Sequence, residues 1–171
     1  MNTPRTDKLP TAGRTRSAAA HAAGFKTYIN SLRLSRAEPL ELVQLEREGV
    51  PGQWVKSLAH ELDLPMVRFA QIIGAPKATV ERNSVAGRRV TGSGAYAALG
   101  TLRLLDMARD LLAESTHPGA RKVDPAKWLG QWIERPQPAL GGKKPADLMD
   151  TPTGMVMVRR VLGAVSSGAY L

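Results

Sequence analysis

Apolar residues recur at three- and four-residue steps in one segment after another of this 171-residue chain, with glycine or proline between the segments. This spacing places the apolar side chains of each segment on one face of a helix. No stretch shows the two-residue alternation of a strand for long enough to be assigned as one. The sequence therefore predicts an all-α fold.

The turn and capping signals set the bounds of the predicted helices. Asp124 and Thr151, each followed by proline, mark two helix starts. Between Phe25 and Glu48 we expect two short amphipathic pieces, the first with Tyr28, Ile29 and Leu32 and the second after Pro39 with Leu42, Val43 and Leu45. Beyond them we predict helices at Trp54–Leu62, Met66 (or Pro65)–Ile73, Lys77–Val85 and Leu99–Glu114, one from Pro125, and one from Pro152 that ends near Gly168.

Charge and composition narrow the classes of function. The formal net charge is +9 and the pI is near 10.4, which favours a nucleic acid, an anionic surface or an acidic protein as partner. The absence of cysteine excludes disulfides and thiolate chemistry. No apolar run has the roughly 20 residues of a membrane span. We expect a cytoplasmic protein.

The three histidines do not indicate a catalytic site. His21, His60 and His117 lie far apart, and none has a second histidine or carboxylate at the spacing of a metal site or a triad. His60 with Glu61 and Asp63 is more simply read as a helical surface. We therefore predict no enzymatic activity, no metal and no cofactor.

The segment Phe69–Arg82 has the pattern of a helix-turn-helix. Ala70 allows two helices to approach closely, Gly74 can adopt the positive φ that the turn requires, and Val80 can fix the second helix against the first. An ordinary helical hairpin is the alternative. If the motif binds DNA, the residues expected to do so are Lys77, Ala78, Thr79, Glu81, Arg82, Arg88 and Arg89.

Two residues fit this motif poorly. Asn83 occupies a position where the second helix usually buries an apolar side chain, and Glu81 would bring a negative charge close to DNA. Either the DNA-binding function has weakened, or Val85 packs in place of Asn83.

The stretch Arg135–Gly154 holds four prolines and three glycines between two helical patterns, yet it is apolar in part. We predict a packed connector rather than an idle linker. Gly141 and Gly142 allow a tight reversal, and Leu140 and Leu148 anchor the loop between the helix that begins at Pro125 and the last helix.

The segment 126–171 resembles the toxin-binding domain of the Xre/MbcA/ParS antitoxins. The matching residues are Trp128, Leu129, Pro136, Pro138, Ala139, Leu140, Gly141, Gly142, Pro145, Leu148, Met149, Thr151, Gly154, Gly168 and Tyr170. The family also places an Xre-like helix-turn-helix upstream, where Phe69–Arg82 lies. The resemblance implies an antitoxin whose partner is a RES-type toxin that destroys NAD, and a homodimer that represses its own operator.

The same resemblance implies where the toxin binds. We expect the C-terminal segment to cover the toxin's NAD pocket, with Tyr170 and the Leu171 carboxylate as candidate plugs. The expected toxin-binding residues are Arg159, Arg160, Ser167, Gly168, Ala169, Tyr170 and Leu171.

These patterns suggest four parts: a basic disordered tail at 1–24, an N-terminal helical segment at 25–51, the helix-turn-helix domain at 52–115 and the small helical toxin-binding domain at 116–171. The alternative function is a stand-alone helix-turn-helix regulator whose C-terminal domain only oligomerises.

Overall fold

The computed structural model describes residues 38–166, and within them nearly all regular structure is helical, as predicted. Short 3₁₀ turns lie at Ala120–Lys122, Pro138–Leu140 and Pro145–Asp147. The helices and strands are α1 Pro39–Glu48, β1 Val50–Pro51, α2 Gly52–Glu61, α3 Met66–Ile72, α4 Lys77–Val85, β2 Arg89–Val90, α5 Gly92–Glu114, α6 Pro125–Ile133 and α7 Pro152–Ser166. Predictions for 1–37 and for Gly168 lie outside the described residues.

The two predicted capping signals act as expected. The carboxylate of Asp124 accepts hydrogen bonds from the backbone N–H groups of Ala126 at 2.9 Å and Lys127 at 3.2 Å, and Pro125 occupies the first turn of α6. The hydroxyl of Thr151 accepts from the N–H of Gly154 at 3.1 Å at the start of α7. Both helices therefore begin where their first free N–H groups gain an acceptor.

A small antiparallel ladder pairs β1 with β2, with Val50 opposite Val90 and Pro51 opposite Arg89. This ladder was not predicted, because two residues are too few to show alternation. The ladder joins the chain just before α2 to the chain just before α5. It therefore closes the segment that contains α2, α3 and α4 at its two ends.

The long helix α5 begins at Gly92 and not at Leu99, where the apolar stripe suggested its start. The added turns consist of small residues apart from Tyr96, and Ala95, Ala97 and Ala98 are buried in them. A Cβ on Gly100 would lie 2.5 Å from the Met155 methyl of α7. Glycine and alanine lower the sequence signal for a helix here, but they allow neighbouring helices to approach α5 closely.

A single hydrophobic core connects both halves of the described chain. Helix α5 contacts α1, α6 and α7, while α2 packs mainly on α4. The largest fully buried side chains are Phe69, Leu58, Leu62, Ile72, Ile73, Leu99, Leu104, Leu105, Leu129, Ile133, Met149 and Met155. None of the helices in residues 38–166 is long and apolar enough to cross a membrane.

Candidate functional site

Helices α3 and α4 and the turn between them form the predicted helix-turn-helix. Ala70 and Val80 are buried, and Gly74 has a φ of +65°, as the turn requires. Helix α2 supports the second helix from behind. A Cβ on Gly52 at the start of α2 would lie 2.6 Å from the backbone nitrogen of Ser84, so glycine is required at this crossing.

The outward face of α4 carries most of the predicted DNA-binding residues. Lys77, Ala78, Glu81 and Arg82 are exposed, and Thr79 is half-buried. The ammonium of Lys77 lies 3.4 Å from the Glu81 carboxylate, so the negative charge of Glu81 is balanced within its own helix. Arg82 and Arg88 are exposed, and their guanidinium groups make no ion pair with any residue in 38–166.

Arg89 is placed differently from the other predicted DNA-binding residues. Its backbone belongs to β2, and its Nη1 donates a hydrogen bond to the carbonyl of Gly49 at 2.6 Å. Its Nη2 lies 3.5 Å from a carboxylate oxygen of Glu48. The guanidinium of Arg89 is thus held at the C-terminal end of α1.

Of the two alternatives raised by Asn83, the packing of Val85 in its place is wrong. Val85 is 89% exposed, and the neighbouring Ser84 is the buried residue of this turn. The side-chain amide of Asn83 donates to the carbonyl of Arg89 at 2.8 Å. A polar residue is tolerated at position 83 because its amide satisfies a backbone carbonyl at the end of the motif.

The loop between α6 and α7 is a packed connector, as predicted. Leu140 and Met149 are buried, and Leu148 is half-buried against the core. Gly141 and Gly142 have φ values of +66° and +77°, and they allow the reversal in which the N–H of Gly142 donates to the Gln137 carbonyl at 3.0 Å. The loop has a fixed shape because its apolar side chains are buried and its backbone groups form hydrogen bonds.

A cluster of charges holds this connector against the helix-turn-helix. Arg68 of α3 donates to the Glu134 carboxylate through Nε and Nη2, and the same Nη2 donates to Asp147 at 2.9 Å. The ammonium of Lys144 lies 3.2 Å from the second oxygen of Glu134. The hydrogen bond from Arg68 is the main cause that lowers the pKa of Glu134 below its usual range, and Lys144 adds to it.

A second contact lies beside this cluster. A Cβ on Gly74, in the turn of the helix-turn-helix, would lie 3.2 Å from the Cβ of Asp150, just before α7. The helix-turn-helix and the connector therefore touch at two points, through charge at Arg68 and through close packing at Gly74.

The two arginines predicted to bind a toxin lie on α7. Arg159 and Arg160 are exposed, and with Met107 of α5 and Val156 of α7 they line a groove of about 310 Å³. Arg159 and Arg160 therefore lie on one surface. In the sequence they are far from the predicted DNA-binding residues, which lie between positions 77 and 89. The other predicted toxin-binding residues, Ser167–Leu171, lie outside the described residues.

The histidines of the described chain remain isolated from other metal ligands. His60 is exposed on α2, and His117 accepts a hydrogen bond from the N–H of Gly119 at 3.1 Å through its Nδ1. Within residues 38–166 no group of three or more His, Cys, Asp or Glu side chains is placed to hold a metal ion.

The fold and these two surfaces define a helix-turn-helix protein with a second, C-terminal helical domain. Residues 41–91 match the family model of the antitoxin Xre-like helix-turn-helix domain, and residues 107–168 match that of the antitoxin Xre/MbcA/ParS C-terminal toxin-binding domain. The chain belongs to the Xre/MbcA/ParS-type antitoxins.

One curated relative is similar over most of its length. The Prs ADP-ribosylating antitoxin of Sphingobium sp. (strain YBL2) is 28% identical over 137 residues, which cover 80% of this chain and 85% of the relative. The similarity therefore includes both the helix-turn-helix and much of the toxin-binding domain.

Proposed function

We propose that this antitoxin neutralises a RES-type toxin that consumes NAD and is encoded by a neighbouring gene. The observation that carries the proposal is the match of residues 107–168 to a toxin-binding domain. Arg159 and Arg160 within that range are exposed and make no ion pair with residues 38–166, which supports a protein partner with acidic groups.

Two reactions are open to a toxin that consumes NAD. Hydrolysis destroys the cofactor, and ADP-ribosylation transfers ADP-ribose from NAD to another molecule. Both break the bond between nicotinamide and ribose. The sequence resemblance favours destruction of NAD, whereas the name of the Sphingobium relative refers to ADP-ribosylation. An antitoxin that blocks the entry of NAD stops either reaction.

The proposed mode of inhibition is occlusion. The segment Ser167–Leu171 covers the mouth of the toxin's NAD pocket, and Arg159 and Arg160 engage carboxylates around it. The antitoxin itself acts by binding and catalyses no reaction. The support for this mode is positional, because α7 leads directly into the C-terminal segment.

The same chain binds its own operator as a homodimer and represses its own transcription in the cytoplasm. The support is the helix-turn-helix geometry at Ala70, Gly74 and Val80, together with the guanidinium groups of Arg82 and Arg88, which form no ion pair among the described residues. A two-fold dimer would place two copies of α4 in successive major grooves of a palindromic site.

The test is to express the neighbouring reading frame alone, with the full chain, and with the chain truncated after Ser167. Intracellular NAD and ADP-ribosylated protein are measured together. We expect one of the two signals to change with the toxin alone and the full chain to restore it. Restoration by the truncated chain would remove the C-terminal segment from the mode of inhibition. No change in either signal would favour a stand-alone regulator whose C-terminal domain only oligomerises.

A further inference from the structure

The groove between α5 and α7 combines apolar walls with positive charge. Met107 and Val156 supply the apolar part of the groove. Val156 is 51% exposed although its side chain is apolar. Met157 beside it is 43% exposed. Gly163 leaves space one turn further along α7, where an added Cβ would be 3.7 Å from the Met107 methyl. The groove is open to a side chain from another molecule.

The arginines of this groove differ from several other arginines of the described chain. Arg68, Arg89 and Arg103 each reach a carboxylate of the same chain. Arg159 and Arg160, by contrast, make no ion pair with any residue between 38 and 166. Two adjacent cations at the rim of an apolar groove suit a partner that brings carboxylates next to an apolar side chain.

We infer that this groove receives an apolar side chain of the toxin, flanked by acidic residues that pair with Arg159 and Arg160. The inference rests on the proposed function for the identity of the partner. All four lining residues lie within the range 107–168 that matches a toxin-binding domain. The groove thus forms a second contact with the toxin, separate from the segment Ser167–Leu171.

A second copy of this chain and DNA are less suitable occupants of the groove, the first because of its charge and the second because it offers no apolar contact. In an isologous dimer through this groove, the Arg159 and Arg160 pairs of two copies would approach each other and repel. DNA phosphates would pair with the arginines, but they would leave Val156 and Met157 exposed and without an apolar contact.

The test compares two charge reversals in the full chain, with the purified toxin as the probe. R159E/R160E changes the groove, whereas R121E/K122E makes the same charge change at exposed residues outside it. We expect R159E/R160E to weaken toxin binding at least about 30-fold, as loss of a central interface contact does. We expect R121E/K122E to remain within about threefold of the wild type.

The apolar part of the groove is tested by V156S, with V67S on α3 as a control of equal 51% exposure. We expect V156S to weaken toxin binding about tenfold and V67S to leave it unchanged. Circular dichroism establishes that each variant is folded. We expect both to fold, because Val156 and Val67 are exposed.

Three outcomes would overturn the inference. Equal loss in R159E/R160E and R121E/K122E would mean that only net charge matters. Unchanged toxin binding with loss of operator binding would assign the arginines to DNA, and unchanged toxin binding with loss of the dimer would assign them to a second copy. If the wild-type chain itself does not bind the toxin, the proposed function fails and this inference fails with it.

Discussion

Arg68 and Glu134 join the helix-turn-helix to the toxin-binding domain through two hydrogen bonds, from Nε at 2.5 Å and from Nη2 at 3.2 Å. The two residues are 66 positions apart in the chain. A planar guanidinium that meets both oxygens of a carboxylate fixes direction as well as distance. The pair therefore sets how α3 is oriented against the end of α6.

Replacement of Glu134 by glutamine should destabilise the protein. We expect E134Q to lower the free energy of unfolding by about 1 kcal/mol, because the pair is only partly exposed but still reached by water. Urea unfolding followed by circular dichroism measures the change. E114Q, at an exposed glutamate on the last turn of α5, is the control. A loss in E114Q as large as that in E134Q would contradict the assignment.

The stabilisation from Glu134 should depend on pH in a defined direction. Its pKa is lower in the folded chain than its usual value of 4.5, because Arg68 and Lys144 favour the charged carboxylate. The contribution is therefore fully present above pH 4.5 and is lost as the pH falls through the folded pKa. The difference in Tm between wild type and E134Q should be constant from pH 7 to about pH 5 and should shrink as the pH falls below 4.5 through the folded pKa. A difference that widens in acid would contradict this sign.

Two helical glycines should respond to alanine in opposite ways. A Cβ on Gly130 in α6 would lie 2.0 Å from the carbonyl oxygen of Leu62, which is backbone and cannot rotate away. We expect G130A to lower the free energy of unfolding by at least about 2 kcal/mol. At Gly163 in α7 the nearest atom is a flexible methionine methyl in ordinary contact, so G163A should be neutral or stabilising by up to about 1 kcal/mol. Equal effects in thermal unfolding would show that α6 shifts to accept the methyl group.

The arginines near α4 should separate into two groups in operator binding. R82A and R88A should each weaken the complex about fivefold and reduce its salt dependence by about one phosphate contact, because these exposed guanidinium groups have no partner in residues 38–166. R121A, outside the helix-turn-helix, is the matched control. R89A should instead lower stability, since Arg89 holds Gly49 and Glu48. Fluorescence anisotropy at several salt concentrations measures operator binding, and thermal unfolding measures the stability of R89A. Equal salt slopes for R82A and R121A would contradict the phosphate contact expected of Arg82.

The parts of the fold that follow local rules could be predicted from the sequence. The caps at Asp124 and Thr151 and the turn at Gly74 depend on residues close by in the chain, so their signals are visible without tertiary structure. The bounds Lys77–Val85 were also predicted as observed. The packed connector was predicted for a similar reason, because Leu140 stands out among its prolines and glycines.

The parts that depend on distant neighbours could not be predicted in this way. In the first turns of α5, Gly94 packs against Ala75, and no local pattern indicates this contact. Packing of Val85 was one of the two explanations offered for Asn83, but Val85 is exposed, and Ser84 is the buried residue that lies against α2. The Arg68 cluster unites residues far apart in sequence, and its members look like ordinary surface charges when they are read one by one.

The contact between Gly74 and Asp150 has a consequence for how such genes can recombine. A crossover between the two matched regions would exchange one side of this contact and of the Arg68 cluster without the other. A chimaera would then place a foreign residue at position 150 or position 74 of this contact, where a single Cβ added to Gly74 would already lie 3.2 Å from the Asp150 Cβ. We therefore expect exchange of only one of the two matched regions to destabilise the chain.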